Sequence, residues 1–155
     1  MQIEFRFLAD EPQEVARVID WWATAWRAQM GDDLEPQRQQ LRGSLSKTDL
    51  PVHVLAYCDG VPAGGAALKL QELEHLYPQC QYWLGSVFVA PAFRGAGLAG
   101  KLSLHIVELA KARGLPHLYL QTVAADGGLY ARLGWQPVEP FIDDNEDRLL
   151  MKKVL

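Results

Sequence analysis

Cysteine, basic charge and long apolar runs are all scarce in this sequence, and each scarcity closes off a class of function. The two cysteines, Cys58 and Cys80, lack the paired spacing of a zinc site or a redox motif. They read as reduced, buried thiols. His53, His105 and His117 share no ligand spacing either, so no metal is expected. No apolar run approaches the roughly 18 residues that a membrane span requires, and Met1-Gln2-Ile3-Glu4 lacks the basic start of a secretion signal. The expectation is a cytoplasmic protein without a membrane partner. Lys and Arg number 15 against 19 Asp and Glu, for a formal net charge of -4. Nucleic acid rewards clustered basic residues, so it is not an expected partner, whereas a cation is.

What the sequence does contain fits an ordinary globular chain. It has 155 residues, 49% of them hydrophobic and 22% charged, enough to bury a core as one domain spanning 1–155. Ile3, Phe5 and Phe7 alternate with Gln2, Glu4 and Arg6, which predicts a half-buried strand over 2–8. Asp10 and Pro12 then open a helix in which Val15, Val18, Ile19, Trp22 and Trp26 recur at helical spacing, up to Met30-Gly31. A shorter helix is expected over 34–46. Asp59-Gly60 predicts a tight hairpin between strands 52–58 and 61–70.

A further strand is expected at 81–90 and a helix from Gly97 to Arg113, stopped by Gly114 and Pro116. Strand 117–123, a short helix at 127–133 and closing strands at 135–142 and 147–154 complete the pattern. Strands and helices alternate without repeats, so the class is α/β (α+β) with a mixed sheet.

The segment from Val87 to Lys101 carries the chemistry. Gly95-Ala96-Gly97-Leu98-Ala99-Gly100 satisfies the dinucleotide pattern G-x-G-x-x-G, and Gly95 to Lys101 satisfies all but the last position of G-x-x-x-x-G-K-[ST]. Both patterns let backbone N–H groups converge on phosphate oxygens at a helix start. A nucleoside triphosphatase, however, needs a hydroxyl where Leu102 stands, and strand 117–123 does not end in an aspartate. The dinucleotide fold wants its first glycine directly after a strand and an acid about 20 residues on. Here Pro91 intervenes, and the relevant strand ends in Gln121-Thr122.

The pattern [RQ]-x-x-G-x-[GA] is met in full by Arg94-Gly95-Ala96-Gly97-Leu98-Ala99, after a strand ending Val89-Ala90-Pro91. In this the sequence resembles the GCN5-related N-acetyltransferases. Leu129-Tyr130-Ala131-Arg132-Leu133-Gly134-Trp135 extends the resemblance, being similar to that family's helix with a tyrosine before a Leu-Gly-aromatic turn. The two motifs stand in the family's order, one helix and one strand apart.

The resemblance implies a curved sheet of about seven strands with about four helices. Its fourth and fifth strands, 81–90 and 117–123, would splay to admit the pantetheine arm of acetyl-CoA. Carried over position by position, the amides of Arg94, Gly95, Ala96, Gly97, Leu98, Ala99 and Gly100 would hold the pyrophosphate. The main chain of Val87, Phe88 and Val89 would pair with pantetheine. Tyr130 would protonate the departing thiolate. A homodimer is an expectation by resemblance alone.

The family pattern often places a carboxylate early in the fourth strand. Between Gln79 and Pro91 there is no Asp, Glu or His, and Trp83 stands there instead. Glu72, Glu74 and His75 are the upstream candidates for a base, His75 by virtue of its intrinsic pKa. Cys80 offers a covalent route, although a thioester needs no nucleophile beyond the amine. An acyl-CoA-binding module without activity, or a regulatory domain, is the alternative that the missing carboxylate suggests. The acceptor is expected to be an amine, either a cationic small molecule or a peptide N-terminus. Asp143, Asp144, Glu146 and Asp147 on one side, and Asp32, Asp33 and Glu35 on the other, would attract it. Trp21, Trp22 and Trp26 read as core, although aromatics at both 21 and 22 of one helix point one of them away from it, toward the acceptor site.

Overall fold

The computed structural model describes residues 1–155. Its strands are β1 (Ile3–Phe7), β2 (Val52–Cys58), β3 (Val61–Lys69), β4 (Trp83–Val89), β5 (His117–Thr122), β6 (Gln136–Asp143) and β7 (Glu146–Val154). The helices are α1 (Val15–Met30), α2 (Glu35–Gly43), α3 (Leu98–Ala112) and α4 (Gly128–Arg132). One sheet in the order β1-β2-β3-β4-β5-β7-β6 contains every strand. This is the mixed sheet with four helices expected above, each boundary lying within a few residues of its predicted place.

Two layers cover the sheet. α3 lies on one face, where Leu98, Leu102, Ile106, Val107 and Ala110 meet Val54, Ala56, Leu68, Leu84, Leu118 and Leu120 in the largest apolar cluster. Side chains alternate along a strand, so the intervening residues face the other way. There Leu55 and Tyr57 pack against Val15, Val18, Ile19 and Ala23 of α1. Farther along the same face, Leu73, Tyr77 and Cys80 of the loop before β4 cover Trp83 and Leu150.

The entry to α1 differs in detail from its prediction. Residues Leu8–Asp10 and Pro12–Glu14 form two short 3-10 turns before the α-helix begins at Val15. Proline at the start of the second turn has no N–H to waste there. α1 then bends at Trp26, whose backbone leaves the helical region at φ -130° and ψ 35°.

The pairing of β4 with β5 decides the architecture of the site. The strands run parallel but share one pair, Trp83 with Tyr119, beside the bond from Tyr119 N–H to Tyr82 C=O at 2.9 Å. Beyond it they part. On its other side β4 is held to β3, with a register shift between Gly65 and Ala67 that accommodates one extra residue on β4. That bulge falls at Ser86-Val87, and Ser86 has φ 54°. A bulge bends its strand and increases local twist, and this one turns β4 away from β5 just past their last contact. The splay implied by the resemblance thus has a local cause.

Candidate active site

Backbone donors at the head of α3 form the first part of the site. Pro91–Phe93 makes a 3-10 turn, after which Gly95 and Gly97 adopt φ 87° and 79°. Gly97 is the N-cap of α3, with no side-chain cap bond. The first protein-bound amide of the helix is Lys101 N–H, on Gly97 C=O at 3.2 Å. The amides from Gly95 to Gly100 therefore have no protein acceptor, and a helix start presents such amides with a partial positive charge. A Cβ built on Gly95 or Gly97 would meet nothing within 4 Å. These glycines leave room for a ligand rather than for another part of the protein. Arg94 differs from the expectation: its N–H points to Pro91 C=O at 3.4 Å.

Arg94 instead ties the loop to β4. Its Nε donates to Val89 C=O at 2.9 Å, and its guanidinium stands 5.6 Å from the centre of the Phe88 ring. Ala90 N–H bonds Ala63 C=O of β3 at 2.8 Å, so by alternation the main chain of Val89 faces the gap toward β5. Val87 and Val89 pack into the α3-side core. Phe88 takes the opposite face, beneath Trp21 at 5.7 Å and Trp26 at 6.5 Å. Leu98 is buried in the core, and Gly100 lies close beneath Leu129.

Tyr130 approaches the gap from α4. The Leu133-Gly134-Trp135 turn is a Schellman cap: Trp135 N–H reaches Tyr130 C=O at 3.0 Å and Gly134 N–H reaches Ala131 C=O at 3.2 Å. Gly134 supplies the required left-handed residue at φ 91°. The apolar contact that accompanies such a cap is Trp135 against the Tyr130 ring, centroids 6.3 Å apart. The family motif is thus a device that locks the tyrosine in place. Burial raises the phenol above its ordinary pKa of 10.0, a hydrogen bond with Ser103 opposes this, and the charge of Glu72 raises it again. The shift keeps the phenol neutral.

Glu72, whose charge reaches Tyr130, comes from the loop before β4. Trp83 is fully buried and its Nε1 donates to Cys80 C=O at 2.8 Å. The next β4 residue on that face is Gly85, and a Cβ there would collide with the Glu72 carboxylate. A loop carboxylate is thus laid over β4, above a glycine that makes space for it. Lys69 Nζ lies 3.2 Å from Glu72 Oε1, and Gln121 Nε2 donates to Oε2 at 3.2 Å.

The other two base candidates stand apart. Glu74 is exposed, and His75 is turned to the β6–β7 hairpin, its Nε2 3.0 Å from Asp143 Oδ1. Cys80, in the same loop, is buried against Trp83 and Leu150. No local pattern marks Ser103 or Gln121 as part of the site. An isolated glycine in a strand, Gly85, was the available signal for the position of Glu72.

A parted pair of parallel strands, a glycine-rich helix start and a capped tyrosine define a class of acyl-transferring protein. The profile of the Acetyltransferase (GNAT) family matches residues 15–135, and the chain belongs to that family. Its members are acetyltransferases whose acetyl donor is acetyl-CoA. The open glycines and unpartnered amides at 95–100 fit the diphosphate of that donor. No curated protein matches the sequence. Among solved structures, an aminoglycoside 6'-N-acetyltransferase complexed with coenzyme A has a TM-score of 0.75 at 17% identity, covering 99% of this chain and 97% of that one. Aminoglycoside 6'-acetyltransferase type Ii gives 0.74 at 19%, with the same coverage. A ribosomal-protein-alanine N-acetyltransferase from Brucella melitensis gives 0.74 at 19%, covering 100% of both chains. These likenesses show the shared fold. No helix of the chain is long and apolar enough to cross a membrane.

Proposed function

We propose that residues 1–155 act as a single N-acetyltransferase domain that moves the acetyl group of acetyl-CoA directly onto a primary amine. The observation that carries this reading is the opening between β4 and β5, with Tyr130 on the α3 side and the Glu72 carboxylate over Gly85 on the other. A thioester threaded through it would meet an acid on one face and a base on the other.

In this reading the amides of Gly95 to Gly100 hold the diphosphate, and the main chain of Val87 to Val89 pairs with pantetheine and stabilises the developing oxyanion. An alkylammonium of pKa near 10.4 costs roughly 4–5 kcal/mol to deprotonate at pH 7. Glu72 takes that proton, directly or through water, as the nitrogen attacks the carbonyl carbon. As the carbon–sulfur bond breaks, the neutral Tyr130 gives its proton to the thiolate, and the second proton shed by the acylated nitrogen, relayed through water, restores the phenol. Glu74 and His75 are left as loop residues. The inactive-module alternative rested on the lack of a carboxylate in the strand, and the place of Glu72 over Gly85 supports the active reading instead.

The similar aminoglycoside and ribosomal-protein enzymes support a cationic small molecule or a peptide N-terminus as acceptor. The free cysteines fit a reducing cytoplasm. The test is thiol release from acetyl-CoA with kanamycin, spermidine and an alanine-starting peptide as acceptors. Turnover with at least one supports the reading. Tight coenzyme A binding without turnover on any would replace it with the binding module.

A further inference from the structure

The acidic hairpin turn read from the sequence as a cation-attracting rim has a different connection in the folded protein. Asp143 receives His75 Nε2 at 3.0 Å on one oxygen, while Arg148 Nη1 lies 3.8 Å from the other. Arg148 Nε donates to Glu146 at 3.2 Å. The same guanidinium donates through Nη1 to Gln121 Oε1 at 2.6 Å. Gln121 in turn donates to Glu72 Oε2 at 3.2 Å. Lys69 holds Glu72 Oε1. A continuous chain therefore runs from the hairpin through β7 and β5 to the carboxylate over Gly85.

Its inner members are largely withdrawn from water, with 13% of the Arg148 side chain and 14% of the Glu72 side chain exposed, whereas His75 and Glu146 at the hairpin end are open to solvent. The chain also has a direction. A guanidinium only donates, so it fixes the amide oxygen of Gln121 toward itself and leaves the amide NH2 aimed at Glu72. Lys69 also only donates. Both oxygens of Glu72 are thereby engaged as acceptors, which fixes the rotation of the carboxylate as well as its place.

We propose that Gln121 and Arg148 are positioning residues for Glu72: they hold its carboxylate over the Gly85 gap from β5 and β7, with Asp143 and Glu146 orienting the arginine. This rests on the reading of Glu72 as the proton acceptor. A base misplaced by about 1 Å can lose on the order of 10²-fold in rate, although neither residue touches a reacting atom. Asp143 and Glu146 then serve the inside of the site, and the last hairpin contributes less to cation recruitment than its composition suggests.

A double-mutant cycle with a crystal structure tests this. Gln121→Met keeps the length and volume of the side chain while removing both hydrogen bonds. Thiol release with kanamycin, spermidine and the alanine peptide, measured on the best of them, should fall about 10-fold in kcat for Gln121→Met, with coenzyme A affinity by calorimetry unchanged. Arg148→Lys should fall similarly. In a Glu72→Gln background, Gln121→Met should change kcat by less than about twofold. Equal falls in both backgrounds would overturn the positioning role while leaving Glu72 as base. An unaffected Glu72→Gln would overturn the base assignment itself. A crystal structure of Gln121→Met in which the Glu72 carboxylate keeps its place over Gly85 would overturn the positioning role whichever acceptor is used.

Discussion

Replacing Gly97 by glutamate separates what the glycine does for the fold from what it does for the ligand. Gly97 sits at φ 79°, and a Cβ there meets no protein atom within 4 Å. The folded protein loses only the conformational cost of a left-handed L-residue, about 1–2 kcal/mol. For a chain of this size that lowers Tm by roughly 2–8 °C. Binding suffers more, because the space left open is where, in the proposed placement, the diphosphate approaches the amides from Gly95 to Gly100. Losing two charge-assisted hydrogen bonds at about 1.5–3 kcal/mol each removes about 3–6 kcal/mol. That raises the Kd for coenzyme A by roughly 10²–10⁴-fold, and the added carboxylate pushes the same way. Titration calorimetry with coenzyme A reads the loss. Pantetheine, which lacks the diphosphate, should bind both proteins alike. Coenzyme A affinity within twofold of the wild type, in a variant that still folds, would refute the placement of the diphosphate.

Tyr130→Phe should lower kcat by about 10²-fold, the usual contribution of a positioned acid, with coenzyme A affinity intact; equal losses in both would make the ring a packing residue. Because burial raises the Tyr130 phenol, the wild-type rate should decline only on the alkaline side of the ordinary value of 10.0, where the proton to be donated is lost. A decline centred well below that value would count against Tyr130 as the acid. Glu72→Gln should cost about 10²-fold in kcat, while Glu74→Ala and His75→Ala should each stay within a few-fold; the opposite ranking in the thiol-release assay would move the base to the loop. His53 gives a stability prediction. Burial beside Trp22, helped by the charge of Lys69, lowers its pKa to about 4, so it is neutral in the folded chain. Its unfolded pKa is near 6.5, so the stability it contributes is complete above that value and is lost as pH falls toward 4. The loss amounts to about 3 kcal/mol by proton linkage. Urea denaturation at pH 7 and 4.5 should show a smaller drop for His53→Gln than for the wild type, and identical drops would sink the assignment.

The strand alternation at Ile3, Phe5 and Phe7, the hairpin at Asp59-Gly60 and the helix stop at Gly114 are each set by a few neighbouring residues. Backbone sterics and periodicity act over that range, so these elements were readable along the chain. The glycine pattern at 94–99 was readable for the same reason, since it encodes a local backbone shape that any ligand-binding use must preserve. The tyrosine motif was readable as a resemblance, but its cause, a Schellman cap bracing Tyr130 against Trp135, emerged only with the hydrogen bonds. The bulge at Ser86 that parts β4 from β5 carries no local signature, because it answers to the register with β3.

The proposed base shows the division most clearly. Sequence alone determined that no carboxylate lies in the fourth strand and that three candidates precede it. Tertiary structure decided among their positions, because the loop folds back across β4 and lays Glu72 over Gly85 while turning His75 toward Asp143. Gln121 and Arg148 belong to strands far downstream, and nothing local links them to residue 72. Local sterics and hydrophobic period act on neighbours in the chain, whereas a charge network depends on distances through space that folding alone creates.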